Sequence, residues 1–225
     1  LRRSSDLFEA YKDFKYLLNK GYRKKVALNF VANHYKLTLR QRHFLARCVF
    51  SDFEIEGRKR KLVESSFLRD KALGIDGFNV LITFESLIEG KAILCEDGLL
   101  RDLKYQRGYR MSGETKGIIE TIVSFLSTLK PREVVFLYDM GVSRSGEIAG
   151  LTMDLIKKYG LKGRALTVKS PDYELRSFEV VCTSDIGIIS KISYVFDLPK
   201  ALGAFLGMRP KRFMELFDKQ SLDKF

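Results

Sequence analysis

Three aspartates fall at or just beyond apolar runs that read as buried strands. Asp76 ends Ala72-Leu73-Gly74-Ile75-Asp76, Asp139 ends Val135-Phe136-Leu137-Tyr138-Asp139, and Asp185 follows Val180-Val181-Cys182-Thr183-Ser184. In an open parallel sheet, ligands bind outside the carboxyl ends of the strands. Carboxylates gathered there repel one another unless a cation neutralises them. Oxygen donors without histidine suit Mg²⁺ or Mn²⁺. Such ions activate water and clamp the oxygens of a phosphoryl displacement. The expectation is therefore a Mg²⁺ or Mn²⁺ site in which Asp76, Asp139 and Asp185 are both ligands and catalytic carboxylates. For each acid taken alone, a helix N-cap or loop carboxylate is the competing reading.

A second group of polar residues follows Asp139. Gly141-Val142-Ser143-Arg144-Ser145-Gly146-Glu147 opens a helical pattern. Backbone N–H groups at a helix start, two hydroxyls and Arg144 would make a phosphate seat. The alternative is plain capping by Ser143 or Ser145, with Glu147 favoured by the helix dipole. The spacing is not that of an ATP-binding P-loop. Arg101, Arg107 and Arg110, interleaved with Tyr105 and Tyr109, could stack on and neutralise a single strand; a solvated loop is the equal alternative. His34 and His43 are assigned no catalytic role.

These residues need a scaffold, and the pattern from residue 71 supplies one. Short apolar segments alternate with amphipathic ones, as in a parallel sheet with crossover helices. Strands are expected at Ala72–Asp76, Ala92–Cys95, Glu133–Tyr138, Ala165–Val168, Phe178–Cys182 and Tyr194–Phe196. Helices are expected at Gly117–Leu129, Glu147–Tyr159, Ala201–Phe205 and Pro210–Asp218. Phe78–Ile88 fits either state. The N-terminal third reads as three helices: one carrying Leu7, Tyr11, Phe14 and Leu18, one carrying Val26, Phe30 and Tyr35, and one carrying Phe44, Leu45 and Cys48. Thr38 is the expected N-cap of the third. A helix-turn-helix with Arg40, Gln41, Arg42, His43 and Arg47 on a groove-facing side is one reading. A helical cap packed on the next domain is the other. Glu54–Lys61, with the tetrad Arg58, Lys59, Arg60 and Lys61, reads as a linker or exposed loop. It divides a basic helical domain (1–65) from an α/β domain (66–225).

Asp76-Gly77-Phe78-Asn79-Val80 resembles the Asp-Gly-Tyr-Asn opening of NYN-type nucleases, relatives of the PIN domain. Cys182-Thr183-Ser184-Asp185 resembles the late Thr-Ser-Asp motif of that fold. The likeness covers about residues 70–205. The whole chain looks like an uncharacterised archaeal-type family that joins a short helical domain to a PIN-like one. The resemblance implies a three-layer α/β/α domain with a mainly parallel sheet, and divalent-metal-dependent cleavage of RNA. Position by position, Asp76 matches the first metal-ligand acid, and Asn79 the asparagine that orients it or bonds within the turn. Asp139 matches a mid-fold acid. Asp185 matches the late acid, with Thr183 and Ser184 shaping its loop. Asp102, with Asp97 behind it, is the choice for the family's second acid and a further metal ligand. Asp172 stands where related nucleases show an acidic pair. Two other functions remain open: a non-catalytic RNA-binding or ribosome-associated module, and a DNA-binding regulator using the N-terminal helices.

Composition narrows the classes. The chain has 225 residues, 45% hydrophobic and 30% charged, enough for a core without staples. Its net charge is +12. Residues 1–70 hold 17 Lys and Arg against 8 Asp and Glu, so most of the excess lies there. A polyanion is the partner such a surface attracts, RNA foremost; a solvated basic face is the plain alternative. The candidate contacts are Arg40, Arg42, Arg47, Arg58–Lys61, Arg101, Arg107, Arg110 and Arg144. The 3 cysteines form no CxxC pair, which argues against a disulfide scaffold or structural zinc and fits a reducing cytoplasm. They read as core residues. No apolar run reaches the ~20 residues that span a bilayer, so no membrane is expected, and a homodimer is left open.

Overall fold

In the computed structural model, residues 5–103 and 109–217 are described. Arg107 and Tyr105 lie outside them. Four helices come first: α1 (Ser5–Asn19), α2 (Lys24–His34), α3 (Leu39–Cys48) and α4 (Asp52–Lys59). Then follow β1 (Ala72–Asp76), α5 (Gly77–Ile88), β2 (Ala92–Leu94), β3 (Leu100–Asp102), α6 (Thr115–Thr128), β4 (Glu133–Asp139) and α7 (Ser145–Lys158). The chain continues through β5 (Gly163–Val168), α8 (Pro171–Glu174), β6 (Val180–Cys182), α9 (Ile186–Ile189), β7 (Tyr194–Val195), α10 (Leu198–Phe205) and β8 (Lys211–Arg212).

The main sheet has the order β5-β4-β1-β6-β7, with every pair parallel. Its central strands are apolar on both faces because both are covered, as parallel crossovers require. Val134, Phe136 and Tyr138 of β4 share one core with Phe84 of α5, Val123 of α6, Ile148 of α7 and Leu202 of α10. Val135 and Leu137 face the other way, onto Leu175, Ile188 and Ile189. The result is a three-layer α/β/α fold, with long helices on one face and the short α8 and α9 with their turns on the other. The ambiguous Phe78–Ile88 segment is a helix whose buried face lies on the first core.

A smaller sheet, β3-β2-β8, carries the helical region. Ile93, Cys95, Phe213 and Leu216 join Phe14, Val31, Phe44 and Cys48 in a third core. The boundary expected at 65/66 thus separates stretches of sequence but not cores: the helices close on a hairpin and a tail that lie beyond it. This settles the role of the third helix. Thr38 caps it in a reciprocal box with Gln41. Arg42 bonds the Leu37 carbonyl at 3.1 Å and Asn33 Oδ1 at 3.1 Å. Arg47 pairs with Asp102 at 2.9 Å. Gln41, Arg42 and Arg47 are each engaged within the fold, and α3 packs as a cap on the third core.

Two expected elements are corrected. Glu54–Lys61 is not a loop: Ser51 and Glu54 form a capping box that starts α4, and Ile55 and Arg58 are buried. Pro210–Asp218 is not a helix within its described part. Lys211 and Arg212 pair in parallel with Ile93 and Leu94, and Phe213–Phe217 is a 3₁₀ turn. Phe213 and Leu216 could reach the third core only by ending any helix early. The strand expected at Ala92–Cys95 is β2, which pairs antiparallel with a strand not among those expected from the sequence, β3.

Candidate functional site at the sheet's carboxyl edge

The chain runs β1, β4, β5 toward one edge, then returns past β1 to lay down β6 and β7. The switch point lies between β1 and β6, where open α/β sheets place their ligands. Ile75 is paired with Cys182, so Asp76 and Thr183 leave the sheet side by side. Thr183 Oγ1 donates to Asp76 Oδ2 at 2.8 Å, and the Asp185 N–H donates to Thr183 Oγ1 at 3.1 Å. Asn79 Oδ1 accepts from both the N–H and the hydroxyl of Ser184, at 2.9 and 3.2 Å. The two motifs, 107 residues apart for Thr183 and Asp76, are thus laced together.

Gly77 follows Asp76 because the turn runs against the Tyr138 ring. A Cβ at position 77 would overlap it. The signal for this contact was in the sequence as a glycine directly after a strand-end acid, but its partner was not.

Burial first, and then the charges of Asp185 and Asp172, push the Asp76 carboxyl up to about 7, against the opposing hydrogen bond from Thr183 and the nearby Asn79 backbone N–H. Asp185 is exposed, and its Oδ1 caps α9 by accepting from the N–H groups of Gly187 and Ile188 at 2.7 and 3.1 Å. Asp172 is exposed on α8. Asp139 stands on the same edge one strand over, since Asp76 pairs with Leu137. It is exposed, with Oδ1 accepting from the Gly141 N–H at 2.8 Å. Among the described residues, no three His, Cys, Asp or Glu side chains are gathered closely enough to share one metal ion.

Asp102 does not belong to this edge. It lies in β3 on the smaller sheet, and its carboxylate takes Arg47. Asp97 is fully buried between Arg101, at 2.7 Å, and Arg58, at 3.1 Å. Arg101 and Arg58 are therefore interior ion-pair partners, not nucleic-acid contacts. Both stack near the Phe50 ring, and Arg101 Nε also bonds the Ser184 carbonyl at 3.0 Å. The i,i+4 spacing of Asp97 and Arg101 was the available signal, masked by a strand and turn between them that is not helical. Lys61 donates to the Ile189 carbonyl at 2.7 Å. Lys59 pairs with Glu56, and Arg60, Arg40 and Arg110 are exposed.

The helix after Asp139 is not serine-capped, and the arginine of the expected phosphate seat is paired with Glu147. Arg144 precedes α7 in a left-handed conformation, with φ of 61°. Its guanidinium grips Glu147 at 2.8 and 2.7 Å. Ser145 is buried in the first turn, while Ser143 is exposed. Among the described residues, no helix is long and apolar enough to cross a membrane.

Comparison with known proteins gives two family matches. Residues 6–61 match the family described as "Protein of unknown function (DUF434)". Residues 65–201 match the one described as "Domain of unknown function (DUF5616)". A relative, "Uncharacterized protein MJ0935" of Methanocaldococcus jannaschii, is 43% identical over 194 residues, covering 84% of this chain and 93% of its own length. No solved structure matches. The second match takes in the whole switch-point edge and more than half the sequence, and the chain belongs to the DUF5616 family.

Proposed function

We propose that the chain hydrolyses phosphodiesters in RNA with Mg²⁺ or Mn²⁺ at its sheet edge, and that the basic helical region holds the substrate. The carrying observation is the strand-end acid Asp76, laced through Thr183 to Asp185 at the switch point and repelled by two neighbouring carboxylates. The resemblance of both motifs to those of NYN-type nucleases supports the same reading.

The donor set fits a hydrated hard cation. Mg²⁺ commonly takes one or two carboxylates and keeps several waters, so three gathered ligands are not required. When bound, such an ion supplies neutralisation of phosphate charge and an activated water. The chain's own residues do the rest. Burial raises the Asp76 carboxyl to about 7, and a bound cation would favour its charged form, so cation affinity should rise with pH. Thr183 fixes the orientation of Asp76, and Asn79 fixes the loop that presents Asp185. Asp139 supplies a further carboxylate on the adjacent strand. A second reading, an RNA-binding module without cleavage, is favoured by the structural use of Asp185, whose Oδ1 caps α9.

Asp185→Asn separates the two. Asparagine keeps the oxygen that caps α9, so folding should be preserved, while the anionic oxygen that a hard cation needs is lost. Single-turnover cleavage and melting temperature are measured on one preparation. Metal-dependent cleavage by wild type and loss of at least ~100-fold in a folded variant are expected. Undiminished cleavage by the variant removes Asp185 from the site. Absence of cleavage by wild type across varied RNAs with either ion selects the binding module.

A further inference from the structure

We propose that Cys48 and Cys95 are a redox-active dithiol that closes to an internal disulfide, cross-linking the helical region to the smaller sheet. The two thiols come from elements 47 residues apart and meet in the third core, Cys95 Sγ donating to Cys48 Sγ at 2.8 Å. Both are buried and reduced. The backbones are held together as well, because the Glu96 N–H bonds the Cys48 carbonyl at 3.2 Å. The sulfurs are thus already in contact and the flanking backbones tied, which lowers the usual obstacle to a new disulfide.

The surroundings make the two sulfurs unequal. Burial would raise both thiols. At Cys95 it is overcome by the hydrogen bond with Cys48 and the Arg101 guanidinium, against the opposing charge of Asp97, so this thiol lies below its ordinary value. Burial and the same contact push Cys48 well above its own. The Arg101 guanidinium favours a thiolate at Cys95, so Cys95 is taken as the attacking sulfur and Cys48 as the resolving one; the link itself rests on the contact between the two sulfurs. The third cysteine, Cys182, lies in a different core, in β6, and is an internal control.

With hydrogen peroxide as the oxidant, the step balances. The Cys95 thiolate attacks one peroxide oxygen, the O–O bond breaks, and hydroxide leaves, taking a proton to become water. The resulting sulfenic acid is attacked by Cys48 sulfur. An S–S bond forms, the S–O bond breaks, and a second water leaves with the Cys48 proton. Two thiols are oxidised by two electrons and one peroxide is reduced to two waters.

The test uses the full chain, folded, treated with hydrogen peroxide and quenched with catalase. Unfolding under acid and alkylation then precede tryptic mapping. The expected product links peptide 48–58 to peptide 92–101, leaves Cys182 alkylated, and is reversed by dithiothreitol. Closing a loop of this length should raise the melting temperature by on the order of 10 °C. Cys48→Ser and Cys95→Ser should each abolish both the link and the rise. Peptide mapping of wild type stands even if a serine variant fails to fold. Three free thiols after treatment, separate sulfinic acids without a link, or a link to Cys182 would each overturn the assignment.

Discussion

Asp76→Asn isolates the energetic signature of the edge. Asparagine keeps an oxygen for the Thr183 hydroxyl and mimics the protonated acid. The folded carboxyl titrates at about 7, the ordinary one at 3.8. A folded pKa raised above the unfolded one means that the native state binds the extra proton between these values. Stability is then lost as pH rises through that window. At 1.36 kcal/mol per unit, the full penalty near pH 8 is about 4 kcal/mol, of which roughly 1–2 is already present at pH 5. Wild type should therefore lose about 2–3 kcal/mol relative to the variant between pH 5 and pH 8. That is roughly 5–10 °C in melting temperature for a chain of this size. Other titrating groups, including buried Asp197, occur in both proteins and cancel in the difference. Urea melts of the pair at pH 5, 6.5 and 8 read the effect directly. Millimolar Mg²⁺ or Mn²⁺ should restore wild type at pH 8 and leave the variant unmoved. A pH-independent difference between the two proteins would refute the reasoning, whatever its size.

Arg101→Met leaves buried Asp97 with Arg58 as its remaining paired guanidinium, and should cost about 3–5 kcal/mol by urea unfolding; a loss below ~1 kcal/mol would show that the pair is not needed. Gly77→Ala drives a methyl into the Tyr138 ring and should destabilise by about 1–3 kcal/mol, visible as a lower urea midpoint with an unchanged m-value. Binding of the full chain to single-stranded RNA should weaken steeply with salt, by a log–log slope of about −0.7 for each phosphate engaged. Reversing exposed Arg23 and Lys25 to Glu should flatten that slope, and a slope already near zero in wild type would mean that the basic surplus is only solvated surface.

Much of the fold was legible because its signals are local. Strand β1 is read residue for residue from Ala72–Asp76, since an apolar run ended by Asp-Gly has few other solutions. The edge placement of Asp76, Asp139 and Asp185 followed from position within each strand, a property the sequence carries. Helix α4 carries a local signal in the Ser51–Glu54 capping box, but the polar run through Arg58–Lys61 reads as a loop. What no local pattern carries is pairing across distance. Arg58 and Arg101 read as surface cations because their type favours water, and only the fold supplies Asp97 as a buried counter-charge. Asp102 resembled a ligand by its place in the chain, while the topology set it on the smaller sheet beside Arg47. The tail's short strand exists only because β2 offers an edge to join. The meeting of Cys48 with Cys95 has the same origin. Chain order fixes which residues can cap, turn and alternate; charge neutralisation in a low-dielectric interior and completion of sheet edges depend on partners that tertiary packing alone brings within reach.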